Sequence, residues 1–299
     1  MRNLIYFLVL IIGWMVGTEV RAQADASLVT RWYNRGSFNP AAITQSEFLN
    51  LFTDFRQQWT GIEGAPQVFS VQASKYIDRL NAGFGISLAA DKTGATQAFN
   101  PMLSYAYRIT NNRDWHLSLG LSAGVFSRSV NGSLFEAATT IDPAIGYDVR
   151  KVIRPDANAG IEFQNPHFII SFSSTHLFSL FNSDSLLINT NHRFGSIIYQ
   201  NADNPLVSYF VGMQAINRGN LTIYEGSICL RFKHRNGLLS GPKELFDLGL
   251  AFGSGTQLSL WVSVKVTPLL RIGYAYNQSF IVGYYPNGSH EVMLELGFL

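Results

Sequence analysis

Histidines and serines are where hydrolytic or metal chemistry would start in this chain. The six histidines, His116, His167, His176, His192, His234 and His290, are scattered. No two stand four apart, the spacing that sets a zinc-binding pair on one helical face. Ser171, Ser173 and His176 lie close together, but a serine nucleophile needs a base and a third group to orient it. In a regular strand Ser173 and His176 point to opposite faces, because their separation is odd. Gly120-Leu-Ser-Ala-Gly124 spells a nucleophile motif without the strand–turn–helix context that makes an elbow. Its small residues instead suit the inward face of a strand. Cys229 is the only cysteine, which leaves no disulfide framework and no paired-thiol zinc or redox centre. The expectation is a protein with no catalytic residue, no cofactor and no metal.

The segments that carry these residues read as strands. Fourteen are expected, at 47–58, 66–77, 80–91, 98–109, 115–128, 157–165, 167–177, 190–200, 206–217, 221–233, 244–254, 256–266, 268–278 and 288–299. Leu258, Leu260, Val262 and Val264 alternate with Ser259, Trp261, Ser263 and Lys265. Phe246, Leu248, Leu250 and Phe252 alternate with Asp247, Gly249, Ala251 and Gly253 in the same way. Alternation at period two gives each strand an apolar face and a small or polar one. Charged residues are only 14% of the chain, against about 25% in soluble domains. A soluble sheet would show water a far more charged face. An apolar exterior around a polar interior is the pattern of a transmembrane barrel. Trp59, Tyr76, Tyr105, Tyr107, Trp115, Tyr274 and Tyr276 are read as its interfacial aromatic belts.

Residues 1–22 read as a cleaved signal peptide. Arg2 precedes an apolar run from Leu4 to Val16, and Val20-Arg21-Ala22 offers a small-residue cleavage site. No later apolar run is long enough for a helical span, so a membrane role requires a closed barrel. The organisation expected is a leader at 1–22, an irregular segment at 23–46 and an all-β, single antiparallel transmembrane barrel of about fourteen strands at 47–299. In the last strand Val292, Leu294, Leu296 and Phe298 share one face. Short connections such as Thr110–Asp114 and Ser254-Gly255 are read as periplasmic. Long ones at 129–156, 178–189, 233–243 and 279–287 are read as extracellular, with a partner expected chiefly at 129–156, 178–189 and 279–287. The net charge of +2 gives no basic stripe for nucleic acid.

Several motifs point further. Asn39-Pro-Ala-Ala42 opens the irregular segment. Phe55-Arg-Gln-Gln-Trp59, Gly61 and Glu63-Gly-Ala-Pro66 follow. Physically these are a strand end and a Gly/Pro turn. Asp91-Lys-x-Gly94, Leu103-Ser-Tyr-Ala-Tyr-Arg108, Asp142-Pro143, Arg271-Ile-Gly-Tyr-Ala-Tyr276 and Gly288-Ser-His-Glu291 come later. Together they resemble the PorP/SprF family of Bacteroidota outer-membrane proteins over about residues 30–299. The resemblance implies a role in type IX protein secretion and gliding, at the cell outer membrane, with no enzymatic activity. It implies as partners outer-membrane lipid, a large adhesin-like surface protein with a C-terminal secretion domain, and periplasmic ring or peptidoglycan-binding components. It marks Asn39, Pro40, Arg56, Trp59, Gly61, Gly64, Pro66, Arg271, His290 and Glu291 as structural or partner-contact residues. A passive channel for small solutes is the alternative reading.

Overall fold

The computed structural model describes residues 28–46, 48–111, 114–132, 149–181, 190–201, 203–218, 221–234, 244–254, 257–280 and 288–298. Its strands are β1 (Leu49–Gln57), β2 (Gln67–Ile77), β3 (Ala82–Thr93), β4 (Thr96–Asn111), β5 (His116–Asn131), β6 (Val149–Gln164) and β7 (Phe168–Thr175). They continue as β8 (His192–Asn201), β9 (Val207–Arg218), β10 (Leu221–Lys233), β11 (Glu244–Gly253), β12 (Gln257–Lys265), β13 (Leu270–Ser279) and β14 (Ser289–Phe298). Each pairs antiparallel with its sequence neighbours, and β14 returns to β1 to close the barrel. The closing register runs from Leu49 opposite Phe298 to Gln57 opposite His290. Closure leaves no unpaired strand edge, which lipid would not tolerate. Among the described residues no helix is long and apolar enough to cross a membrane.

The two faces follow the sequence alternation. Leu121, Leu250, Leu260 and Val292 stand outward and exposed, while Ser122, Ala251, Trp261 and Met293 face inward and are buried. Outward aromatics gather at both ends. Phe84, Tyr105, Tyr107, Trp115 and Phe168 lie toward the end that holds both barrel termini. Phe55, Phe69, Phe99, Tyr224 and Phe252 lie toward the opposite end. Such girdles mark the two membrane interfaces. Tyr76 departs from the expected belt: it is turned inward and 2% exposed, with the Arg108 guanidinium 4.0 Å above its ring. Trp59 sits in the β1–β2 connection at φ 45°.

Two other expectations change. The inward face is not uniformly small, since Phe52, Met102, Ile216, Trp261 and Met293 are buried there. Connection length also fails to separate the two ends. The short connection after β11 shares an end with the connections after β5, β7 and β13. The long one after β10 shares the end of the termini. Residues 129–131 and 149–156 belong to β5 and β6, not to a loop. Residues 1–27, 133–148, 182–189, 235–243 and 281–287 lie outside the described residues, so the leader, Asp142-Pro143 and most of the four long loops do too.

An outward charge tests this placement directly. Leu260→Arg, near the middle of β12, should destabilise the barrel by about 2–4 kcal/mol, and Leu49→Arg at the rim by about 0–1 kcal/mol. Urea midpoints of the detergent-folded barrel, read by heat-modifiable gel migration, measure both. Equal costs at the two depths would contradict the membrane position.

Candidate functional site

The segment before β1 lies inside the barrel. Short 3-10 turns at Val29–Trp32, Arg35–Ser37 and Pro40–Gln45 carry it through the lumen. The last of these is built locally. Asn39 caps it by accepting from the Ala41 N–H at 3.0 Å, and Pro40 occupies its first position, where a missing N–H costs nothing. Asn39, Ala41, Ala42, Ile43 and Thr44 are all buried.

The wall accepts this turn because it lacks side chains there. A Cβ at Gly120 would lie 2.2 Å from Ala41 N, and one at Gly160 would lie 2.0 Å from Asn39 Oδ1. Asn39 Nδ2 donates to Ile161 O at 3.2 Å. The Thr44 and Ser118 hydroxyls meet at 3.0 Å, Arg108 donates to Thr44 O, and the Tyr76 N–H donates to Ser46 O. Polar strand positions that would otherwise face water thus face the chain's own backbone.

Residues 28–35 form an arm held by four carboxylates on different parts of the wall. Glu291 of β14 accepts the N–H groups of Val29 and Thr30 at 2.9 and 2.7 Å and pairs with Arg56 of β1 at 3.1 Å. The Thr30 hydroxyl donates to Asp54. Glu225 of β10 pairs with Arg31 at 2.6 Å and accepts from Trp32 Nε1 and Gln214. Glu162 of β6 pairs with Arg35 at 3.2 Å and accepts from Gln45 and Ser171. Tyr33 accepts from Trp261 Nε1 at 3.0 Å and meets the Ser263 hydroxyl. Burial, with Asp247 adding to it, pushes the Tyr33 phenol upward, so it stays a neutral hydroxyl. Cys229 packs beside Trp32 and Tyr33 against Val29 and Trp261, in the plain packing role expected of a lone cysteine.

A second charge network rings the mouth on the side of the termini. Arg271 of β13 pairs with Asp247 at 2.6 Å, with Glu295 at 3.3 Å and with Glu244. Arg231 reaches Asp247 and Glu244, each at 2.9 Å. Charges at this depth persist only when paired, and here every acid meets at least one arginine.

The sequence-singled residues divide into four groups. Asn39 and Pro40 belong to the plug, and Arg56, Glu291 and Arg271 to the lumenal charge networks. Trp59, Gly61, Gly64 and Pro66 shape the β1–β2 connection, where Gly61 and Gly64 take φ of 90° and 70°. That connection is tied down: Trp59 N–H donates to the Ser289 hydroxyl, Thr60 N–H to Gly288 O, and Gly94 N–H to Gly64 O. His290 faces outward with its Nδ1 at 2.6 Å from the Tyr274 hydroxyl, away from Glu291. Arg31, Arg35, Asp54, Glu162, Glu225 and Asp247 were not anticipated as site residues. For the four acids the signal is a charge at an inward parity position of a strand in a chain otherwise poor in charge; Arg31 and Arg35 lie in the 3-10 turns, where no such parity marks them.

The serine–histidine constellation is not assembled. Ser171 donates to Glu162, while His176 Nδ1 bonds Asp156 at 2.6 Å. His176 is buried like Ser173. The opposite-face expectation fails because β7 ends at Thr175 and His176 turns at φ 56°. Ser122 is mid-strand and meets the Ser104 hydroxyl at 2.7 Å. Among the described residues no three His, Cys, Asp or Glu side chains gather to hold a metal ion.

A closed fourteen-stranded barrel with aromatic girdles and a lumen filled by its own N-terminal segment is an outer-membrane protein. Two solved barrels share the fold. The monoaromatic hydrocarbon channel CymD is 11% identical with a TM-score of 0.52, covering 88% of this chain and 91% of its own. The Ralstonia pickettii toluene transporter TbuX is 10% identical with a TM-score of 0.51, covering 87% and 92%. No curated protein sequence matches the chain. The chain belongs to the family of type IX secretion system membrane proteins PorP/SprF, whose sequence profile matches residues 20–296.

The Arg56–Glu291 pair is 4% and 1% exposed, so removing one partner strands the other in the lumen. Arg56→Met should cost about 3–5 kcal/mol as a lowered urea midpoint of the folded barrel. An unchanged midpoint would show that the pair carries no weight in closure.

Proposed function

We propose that this barrel holds a large secreted protein at the cell surface, or helps to secrete it. The cargo is adhesin-like and bears a C-terminal secretion domain. Family membership supplies the secretion setting. The observation that carries the reading is the plug: buried side chains of residues 29–44 fill the lumen that an open porin would leave clear. A barrel closed by its own chain is suited to anchoring, and the passive small-solute channel loses ground for the same reason. In this reading the leader at 1–22 is removed on export and the barrel binds its partner without catalysing any reaction. The end bearing the connections after β5, β7 and β13 faces outward, because surface loops on a rigid scaffold carry recognition. Other secretion components, among them periplasmic ring or peptidoglycan-binding proteins, meet the opposite mouth.

The test is deletion of the barrel in a strain whose cargo is tagged. Whole-cell labelling should fall and the tagged protein should appear in the medium or remain in the periplasm. Unchanged labelling of intact cells would overturn the anchoring role. Restoring the wild-type chain should recover the label.

A further inference from the structure

We propose that residues 28–35 are a gate, and that their release opens a cation-selective path through the lumen. The arm is a partition between two cavities. One, of about 190 Å³, lies toward the end opposite the termini, with Arg31, Asp91, Asn100 and His192 on its walls. The other, of about 370 Å³, lies toward the termini, with Trp32, Tyr33, Arg35, Arg271 and Glu295. Arg31 lines the first cavity and Trp32 the second, so the arm stands between them.

The two halves of the plug are fastened differently. Pro40–Gln45 sits in the glycine-floored surface of β4 to β6, where backbone and small side chains interlock. The arm instead reaches β1, β10, β12 and β14 on the far side, and β6 through Arg35. Among the described residues its backbone pairs with no strand backbone; its N–H groups and side chains meet carboxylates and hydroxyls. Such contacts separate one by one, whereas a strand ladder separates only as a unit. The turn can therefore stay seated while the arm swings away.

The charge left behind sets the selectivity. When the arm leaves it takes Arg31 and Arg35 with it. Asp54, Glu162, Glu225 and Glu291 remain on the wall around the vacated position, with Arg56 as the cation hydrogen-bonded among them. The cavities on either side carry mixed charge, Arg218 and Asp91 on one and Arg231, Lys265, Arg271, Glu244 and Glu295 on the other, but at the constriction the acids outnumber the cations, and a low-dielectric constriction of that sign concentrates counter-ions. Small cations and neutral polar solutes would pass, and anions would be repelled.

Single-channel recording of the purified full-length protein in planar bilayers under a KCl gradient tests the gate. The wild-type chain should stay closed, with rare brief openings. Arg31→Gln with Arg35→Gln keeps side-chain size and removes both arm charges. It should raise the mean current severalfold and move the reversal potential toward that of potassium. A lock comes from Thr30→Cys with Asp54→Cys in a Cys229→Ser background, since the two native side chains are in hydrogen-bond contact. Added to the double glutamine variant, it should silence the current when oxidised and restore it under dithiothreitol. A wild-type current equal to that of the glutamine variant would overturn the proposal. So would a folded glutamine variant that stays closed, or an anion-selective current. If the glutamine variant does not fold, the lock is placed in the chain with Arg31 and Arg35 intact. Openings seen only in the reduced state support the gate, and identical traces in both redox states overturn it.

Discussion

Glu291 joins the two closures on which this molecule depends. Its strand, β14, completes the barrel against β1, and its carboxylate pairs across that seam with Arg56. The same carboxylate receives the N–H groups of Val29 and Thr30, so it also receives the arm that closes the lumen. A carboxylate removed from water is costly unless donors surround it. Three donors meet this one, two from adjacent residues of the arm and one from β1. The seam, the first strand and the plug therefore specify one another: a shift in the register of β1 against β14 would unpair Arg56 and also move the arm's anchor.

The same requirement explains why the lumen is not simply a smaller water-filled pore. Inward positions carry Asp54, Asp156, Glu162, Glu225, Asp247, Glu291 and several arginines, in a wall whose outer face is almost wholly apolar. The plug supplies partners from the centre that neighbouring strands cannot reach. It also covers the large inward residues. Trp261 lies beside Val29 and Tyr33, and Phe194 stacks near Phe38 at 5.1 Å. Bulky residues at lumenal parity are thus the wall's side of a packed interface.

The barrel itself was legible in the sequence. Period-two alternation in strands such as β11 and β12, low charge and paired aromatics define which face meets lipid, because lipid imposes the same rule on every strand. The plug was less legible. Three short 3-10 turns have no long periodicity, and several of their contacts lie more than a hundred residues away, as between Thr30 and Glu291. Asn39 and Pro40 showed a local cap and turn but not which wall would receive it. Arg56, Arg271 and Glu291 stood out through family resemblance, while the equally embedded Glu162 and Glu225 did not. Tyr76 shows the limit of residue type: an aromatic near a strand end suits the interface, but its parity turns it inward beneath Arg108. His176 shows the limit of parity, which lapses one residue past the end of β7.

The division of labour between outside and inside constrains what the protein can do. The lipid face must be apolar at every depth, which leaves it little room to recognise a partner. Specific chemistry is therefore confined to the two mouths and the lumen, where polar residues survive by pairing. At one mouth the β1–β2 connection is tied to the start of β14 through Trp59 and Ser289 and to the β3–β4 turn through Gly64 and Gly94. Two residues along β14 from Ser289 stands Glu291, the anchor of the arm. Whatever binds at that mouth rests on a rigid rim connected through one short stretch of strand to the carboxylate that holds the lumen shut.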